Sequence, residues 1–222
     1  MKNIYELYTQ LYQIYGAQGW WPILKYGYHK MDYSFPRDEN EIFEVCLGVI
    51  LTQNTTFTSV VKSLENLDAK NALSLEAIQN IDINELKDSI RPSLYYNQKA
   101  SYILEFIRFY KSLNGGVPTR EELLSVKGIG EESADSILLY GYNKTEFVVD
   151  TYTKRLLTHL GLINEKAKYG DVKKLMQNSL KEAIPDEDEL LRVYQEFHAL
   201  IVEHSKKYYS KKPYGAGCFL KT

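Results

Sequence analysis

Apolar and polar positions follow a helical period over most of the chain. Ile4, Leu7, Leu11, Ile14 and Tyr15 share one helical face, as do Ile42, Cys46, Val49 and Ile50, then Val60, Val61, Leu64 and Leu67. Ile83, Leu86 and Ile90 repeat the spacing briefly. Ala100, Ile103, Leu104, Ile107 and Tyr110 mark a longer helix that Asn114-Gly115-Gly116 is placed to end. Thr119 followed by Glu122 reads as a capping box. Beyond Asp150 come Leu156, Leu157 and Leu160, then Val172, Leu175, Met176 and Leu180. Asp186 should cap a last long helix through Leu190, Val193, Tyr194, Phe197, Leu200 and Ile201. Sustained period-2 alternation is missing, and the best strand candidate, Phe147-Val148-Val149, is only three residues. The predicted fold class is all-α. There is no fixed-period repeat and no low-complexity segment. The expected linkers are Tyr26 to Arg37 and the Gly-rich tail after Pro213.

The 222 residues suit one large domain or two small ones, and 44% hydrophobic with 25% charged residues is a globular composition. Two cysteines, Cys46 and Cys218, cannot make a disulfide framework or a four-thiolate metal site. The longest apolar stretch, around Val45 to Leu51, is too short to span a bilayer. No targeting segment is visible at the start, so a soluble, intracellular protein is the expectation. A net charge of −2 argues, taken alone, against a nucleic-acid protein. The 19 tyrosines are the compositional oddity.

The informative stretch runs from Leu123 to Leu138. An apolar helix leads into Gly128-Ile129-Gly130, and a second helix follows with Ala134, Ile137 and Leu138 on its apolar face. Glycine reaches positive φ without steric penalty, so both glycines suit a tight turn, with Ile129 plugged into the core. Backbone amides at the start of the second helix would then favour an anion such as a DNA phosphate. A helix–helix turn with no ligand is the bland reading of Gly-x-Gly by itself.

Further motifs stand in order around it: Leu47-Gly48-Val49-Ile50-Leu51-Thr52-Gln53-Asn54-Thr55, Tyr96-Asn97-Gln98-Lys99-Ala100, and Val148-Val149-Asp150 opening a helix. Together with the hairpin they resemble the endonuclease III-like superfamily of helix–hairpin–helix DNA glycosylases, over roughly Glu41 to Lys212. The resemblance implies two helical subdomains with a DNA- and base-binding cleft between them. One would be 38–141, with the hairpin at about 119–140; the other would combine 1–37 with 142–222.

Two departures narrow the expectation. Bifunctional members place a Schiff-base lysine where this chain has Glu132, and a carboxylate cannot form an imine. Many relatives also close with a four-cysteine iron–sulfur motif. Here Tyr208 and Gly215 stand at the positions preceding Cys218, so the cluster, and any metal or other cofactor, is expected to be absent. Trp20-Trp21-Pro22 and the Phe43 region resemble the 3-methyladenine branch, which also carries Glu at the position of Glu132. The resemblance implies Asp150 as catalytic carboxylate, stabilising positive charge on the sugar and orienting water. Asp150 would also cap its helix. Trp20, Trp21, Phe43 and Glu132 would form the base pocket, with aromatic faces and negative charge suited to a cationic alkylpurine. Gln53 and Tyr95 would be the DNA wedge. The family pattern has Gly where Leu94 stands. Lys127, Gly128, Gly130 and Arg155 would bind phosphate, with Lys154 nearby. Lys206, Lys207, Lys211 and Lys212 could touch phosphates or form a solvated face.

The implied function is monofunctional DNA glycosylase action in base excision repair, removing alkylated purines of the 3-methyladenine type from double-stranded DNA without lyase activity. The expected partner is alkylated duplex DNA, with no membrane partner and a monomeric chain. Two alternatives stay open: a mismatch adenine or uracil/thymine glycosylase on the same fold, and a catalytically inert DNA-binding hairpin module.

Overall fold

The computed structural model describes residues 3–220, and the expected domain ends at 1 and 222 lie outside them. The chain forms two compact units. A terminal unit holds residues up to Trp20, His29–Tyr33 and the chain from Asn143 onward; a central unit holds Trp21–Tyr28 and Ser34–Tyr142. Residues 21–28 and 34–37 thus group with the central unit, where the sequence placed them with the termini. The reason is local bonding. Leu24 N donates to Glu44 Oε1 at 2.6 Å, Arg37 N donates to Glu41 Oε2 at 2.6 Å, and the Trp21 ring lies 5.6 Å from both Phe57 and Tyr140.

The terminal unit contains α1 (Ile4–Tyr15), α9 (Thr151–His159), α10 (Tyr169–Ala183) and α11 (Glu187–Tyr208). Asn3 and Glu6 make a reciprocal capping box on α1, and Gly16 at φ +67 ends it. Asp186 caps α11 by accepting from Glu189 N. Leu190, Val193, Tyr194, Phe197, Leu200 and Ile201 are all buried, as their spacing predicts. Helices α1 and α9 pack on α11. Tyr8 and Phe147 sit 5.5 and 5.9 Å from the Phe197 ring. Phe147–Val149 is extended and buried but makes no ladder; Val149 N donates instead to the Tyr169 hydroxyl at 3.3 Å. Among the described residues the only bridge pairing is Ile23 with Gly27, so the fold is all-α as predicted.

The expected C-terminal linker is packed. Cys218 Sγ lies 3.3 Å from His204 Nε2 and 3.4 Å from the Tyr209 hydroxyl, and Leu220 is buried. Gly215, at φ +80, presses so closely on the His159 ring that a Cβ would sit 2.4 Å from it. Burial drops the His204 imidazole to about 4, aided by the Lys207 charge. Several tyrosines are accounted for here: Tyr15 meets His204 Nδ1 at 2.9 Å, and Tyr208 and Tyr209 flank its ring.

The central unit contains α2 (Glu39–Thr52), α3 (Phe57–Asp68), α4 (Leu75–Ile78), α5 (Ile83–Ile90), a 3-10 turn Arg91–Ser93, α6 (Tyr96–Ser112), α7 (Arg120–Ser125), α8 (Glu131–Ser136) and a π turn Ile137–Gly141. Helix α2 is apolar nearly all round, and Phe43 through Leu51 are buried without a break. It packs against α3, α6, α8 and the π turn. Gly48 lets the Trp21 indole approach α2, since a Cβ there would be 3.0 Å from its nitrogen. Asn114 and Gly115, both at positive φ, follow α6 as predicted. No described helix is long and apolar enough to cross a membrane.

Candidate active site and nucleic-acid interface

Asp150 is extended at φ −88, ψ −179 and caps α9. Its Oδ1 accepts from both Thr153 N and Thr153 Oγ1, each at 2.7 Å. That oxygen is saturated by one residue, three positions on, where an N-cap partner belongs. Oδ2 points elsewhere and lies 4.0 Å from His198 Nε2, with the Asp150 side chain only 13% exposed. Burial holds the His198 imidazole below its usual range, and the Asp150 charge opposes that. The carboxylate therefore has one fixed oxygen and one available oxygen, in a nearly dry setting where charge acts strongly.

Helix α11 also positions Trp20. Glu196 is buried, and its carboxylate accepts from Gln18 N at 2.6 Å, Gly19 N at 3.4 Å and the Tyr33 hydroxyl at 3.2 Å. Burial, with the Glu196 charge, pushes the Tyr33 phenol up. Gly19 is required here: φ is +68, and a Cβ would meet Lys30 N at 2.3 Å. Trp20 is half-buried and meets His198 edge-on at 6.2 Å. Lys206 Nζ lies 5.9 Å over the Trp20 ring and pairs with Glu203 at 3.2 Å. The terminal unit thus brings together Trp20, Asp150, Thr153 and His198. Arg155 is committed to the tail, donating to Tyr209 O at 2.9 Å and stacking on Tyr214 at 4.1 Å. Lys154 donates to Ala167 O.

The central unit holds the remaining predicted residues. Trp21 and Phe43 are core side chains, 6% and 1% exposed, and Phe43 packs edge-on against Tyr110 at 5.4 Å. The more accessible rings near Trp21 are Phe57 and Tyr28. Glu132 is exposed in the first turn of α8.

The hairpin joins α7 to α8, and Arg120 Nε and a terminal nitrogen grip the fully buried Asp135 at 2.8 and 3.3 Å. Ile129 is buried, as predicted. The two glycines differ from the expectation. Gly128 has φ +93, and a Cβ would lie 2.2 Å from the Tyr102 ring. Gly130 has an ordinary φ of −96 as the cap of α8 and faces open space. Its lack of a side chain leaves the backbone approachable and does not relieve strain. Lys127 is exposed beside it.

Gln53 ends α2, and its Nε2 donates to Gly128 O at 2.9 Å and Ser133 Oγ at 3.1 Å. In this state it braces the hairpin. Leu94 and Tyr95 are 54% and 62% exposed and both have positive φ.

Sequence reasoning missed Thr153, Glu196, His198, Phe57 and Tyr28. Glu196 and His198 had a usable signal: polar residues on the two edges of an apolar helical stripe. Thr153 had another, its place three residues after a capping Asp.

Residues 47–182 match the family described as HhH-GPD superfamily base excision DNA repair protein. A candidate DNA repair glycosylase of Methanocaldococcus jannaschii is 38% identical over 231 residues, covering 99% of this chain and 94% of its own length. Endonuclease III of Sulfolobus acidocaldarius is 27% identical, covering 81% of this chain and 80% of its own. The solved structure of the H. pylori 3-methyladenine DNA glycosylase bound to 1,N6-ethenoadenine superposes with a TM-score of 0.75 at 31% identity, covering 93% of this chain and 98% of that one. A trapped endonuclease III–DNA covalent intermediate shares the fold, with a TM-score of 0.73 at 18% identity over 98% of this chain and 93% of that one. With its motifs in order and this match over most of its length, the chain belongs to the HhH-GPD superfamily of base excision DNA repair proteins.

Proposed function

We propose that this chain is a monofunctional DNA glycosylase that hydrolyses the N-glycosidic bond of alkylated purines of the 3-methyladenine type, flipped out of duplex DNA. The observation that carries the reading is Asp150, with one oxygen locked by Thr153 and the other available in a nearly dry setting. As the C1′–N bond breaks, the base leaves with the bonding electrons and the sugar becomes positive. The available carboxylate oxygen stabilises that charge and accepts the proton of the water that adds to C1′. An alkylated purine is already cationic and leaves readily, so the site needs no covalent nucleophile. Glu132 at the position of the Schiff-base lysine supports hydrolysis without strand cleavage.

Of the residues proposed to meet the base, Trp20 and Glu132 are each accessible within their own unit, whereas Trp21 and Phe43 are core side chains of the central unit. Gly130 and Lys127 are the proposed phosphate contacts of the hairpin, with Gly128 shaping the turn and Arg155 placed by its tail contacts. Gln53 and Tyr95 are the proposed wedge, and Gln53 would exchange its hairpin bonds for the duplex. The likeness to a 3-methyladenine glycosylase, at 31% identity, supports the substrate class.

The test is base release from duplexes carrying one 7-methylguanine, a stable 3-methyladenine analogue, uracil, or a G·T mismatch. Alkali-labile sites from the alkylated duplexes alone are expected, with no borohydride-trapped adduct. Release only from the uracil or mismatch duplexes would sink the substrate assignment, and a trapped adduct would sink the monofunctional one.

A further inference from the structure

The Tyr-Asn-x-Lys-Ala motif has no part in the chemistry above, yet it contains a charge buried without a counter-ion among the described residues. Lys99 is 2% exposed, in the first turn of α6. Its Nζ donates to Leu51 O at 2.7 Å and Ser93 O at 2.6 Å, both main-chain carbonyls. Burial drops this ammonium to about 8. A buried ammonium held by carbonyls alone is a poor device for stability, since an apolar side chain of similar length would bury at lower cost.

Its two acceptors stand at the bases of two loops. Leu51 lies at the end of α2, two residues before Gln53, and Asn54 follows at φ +54. Ser93 immediately precedes Leu94, and its hydroxyl is bonded to Ser63 Oγ on α3 at 2.7 Å. Leu94 holds φ +60, ψ 166, a combination suited to glycine, and Tyr95 holds φ +46, ψ 29. Both side chains project into solvent, so their own packing does not hold this backbone. The support comes from beneath, through Lys99 and Ser63. Strain that persists in exposed apolar residues, fixed from below, is how a rigid probe is built.

We propose that Lys99 is a positioning residue for DNA distortion: its ammonium ties the Gln53 loop to the Leu94–Tyr95 loop, so that both enter the duplex in fixed register as the base is extruded. This rests on the reading that the protein opens duplex DNA. The side chain touches no reacting atom and acts only through the two loops.

The experiment uses the full chain and a duplex holding an abasic analogue flanked by 2-aminopurine, whose fluorescence rises as the helix opens. Lys99→Met should slow that rise by about tenfold or more, in line with the sensitivity of such steps to misplacement by about 1 Å. Binding to an undamaged duplex should be unchanged, and the melting temperature should stay within a few degrees. A rise at the wild-type rate in folded Lys99→Met overturns the proposal, and so does an equal loss of undamaged-duplex binding. If Lys99→Met does not fold, Leu94→Gly decides. It releases the strained backbone without touching the core, and should slow opening several-fold while melting at the same or a higher temperature. Unchanged opening there overturns the proposal. A wild-type protein that opens the duplex but releases no base contradicts the proposed function and leaves the Lys99 assignment standing. One that opens no duplex overturns the Lys99 assignment.

Discussion

In the terminal unit the groups of interest are buried and bound. Asp150 is fixed by Thr153 on a capped helix, and His198 and Glu196 sit inside α11. In the central unit they lie at bent backbone: Gly128 at φ +93, and the exposed Leu94 at +60 and Tyr95 at +46. Charge stabilisation in a reaction needs a preorganised, dry group, which regular helices supply. Gripping and opening a duplex needs approachable backbone and projecting side chains, which loops supply at a cost in strain. On the proposed function, the contrast separates what each unit would contribute: chemistry from one, DNA distortion from the other.

The sharpest break in that contrast comes within the hairpin. Gly128→Ala forces a Cβ into the Tyr102 ring and leaves alanine at positive φ, so it should destabilise by about 3–5 kcal/mol in urea unfolding. Gly130→Ala meets open space at ordinary φ. It should leave the unfolding midpoint nearly unchanged while weakening duplex binding several-fold. Equal destabilisation by both would erase the distinction between a turn-forming and a contact-forming glycine.

Acidification should then act on the two units with opposite sign. His204 is held at about 4 by burial, below its ordinary 6.5, so the unfolded chain takes up the proton first. Its stability contribution is full above about pH 6.5 and is lost as pH falls towards 4. Glu44 is raised to about 7 by burial, from 4.5, so the folded form holds the proton first. Its contribution is full below about 4.5 and is lost as pH rises towards 7. Each amounts to about 3 kcal/mol at most. Residue-resolved hydrogen exchange, corrected for intrinsic rates, should show protection falling in α11 and rising in α2 between pH 7 and 4.5. Parallel changes would break the comparison.

The smallest effect is at Ser205, whose buried hydroxyl has no hydrogen-bond partner among the described residues. Ser205→Ala should stabilise by up to about 1 kcal/mol in thermal unfolding, and a loss of that size would mean the hydroxyl is satisfied.

Much of the fold was legible because helical spacing and caps are local. Asp186, Thr119 and Asn114-Gly115 mark helix ends as their chemistry predicts. Asp150 as a helix cap and the hairpin between two helices were legible for the same reason. What escaped is long-range. Phe147–Val149 has the composition of a strand, but the described residues offer no partner strand, and its burial reflects threading through the terminal core. The Gly-rich tail looked like a linker because nothing local announces that Cys218 will find His204 and Tyr209. Gln53 reads as a wedge from its motif, while its partners, Gly128 and Ser133, lie 75 and 80 residues away. The His198–Asp150 approach spans two helices and has no signature in either.

The central claim is that the available oxygen of Asp150 performs the chemistry. It is tested most directly by single-turnover release of 7-methylguanine from a duplex by wild type and Asp150→Asn. Asparagine caps a helix as well as aspartate does, so the variant should melt within a few degrees of wild type. It should release the base at least about 100-fold more slowly. Release at the wild-type rate by a folded Asp150→Asn protein would contradict the account.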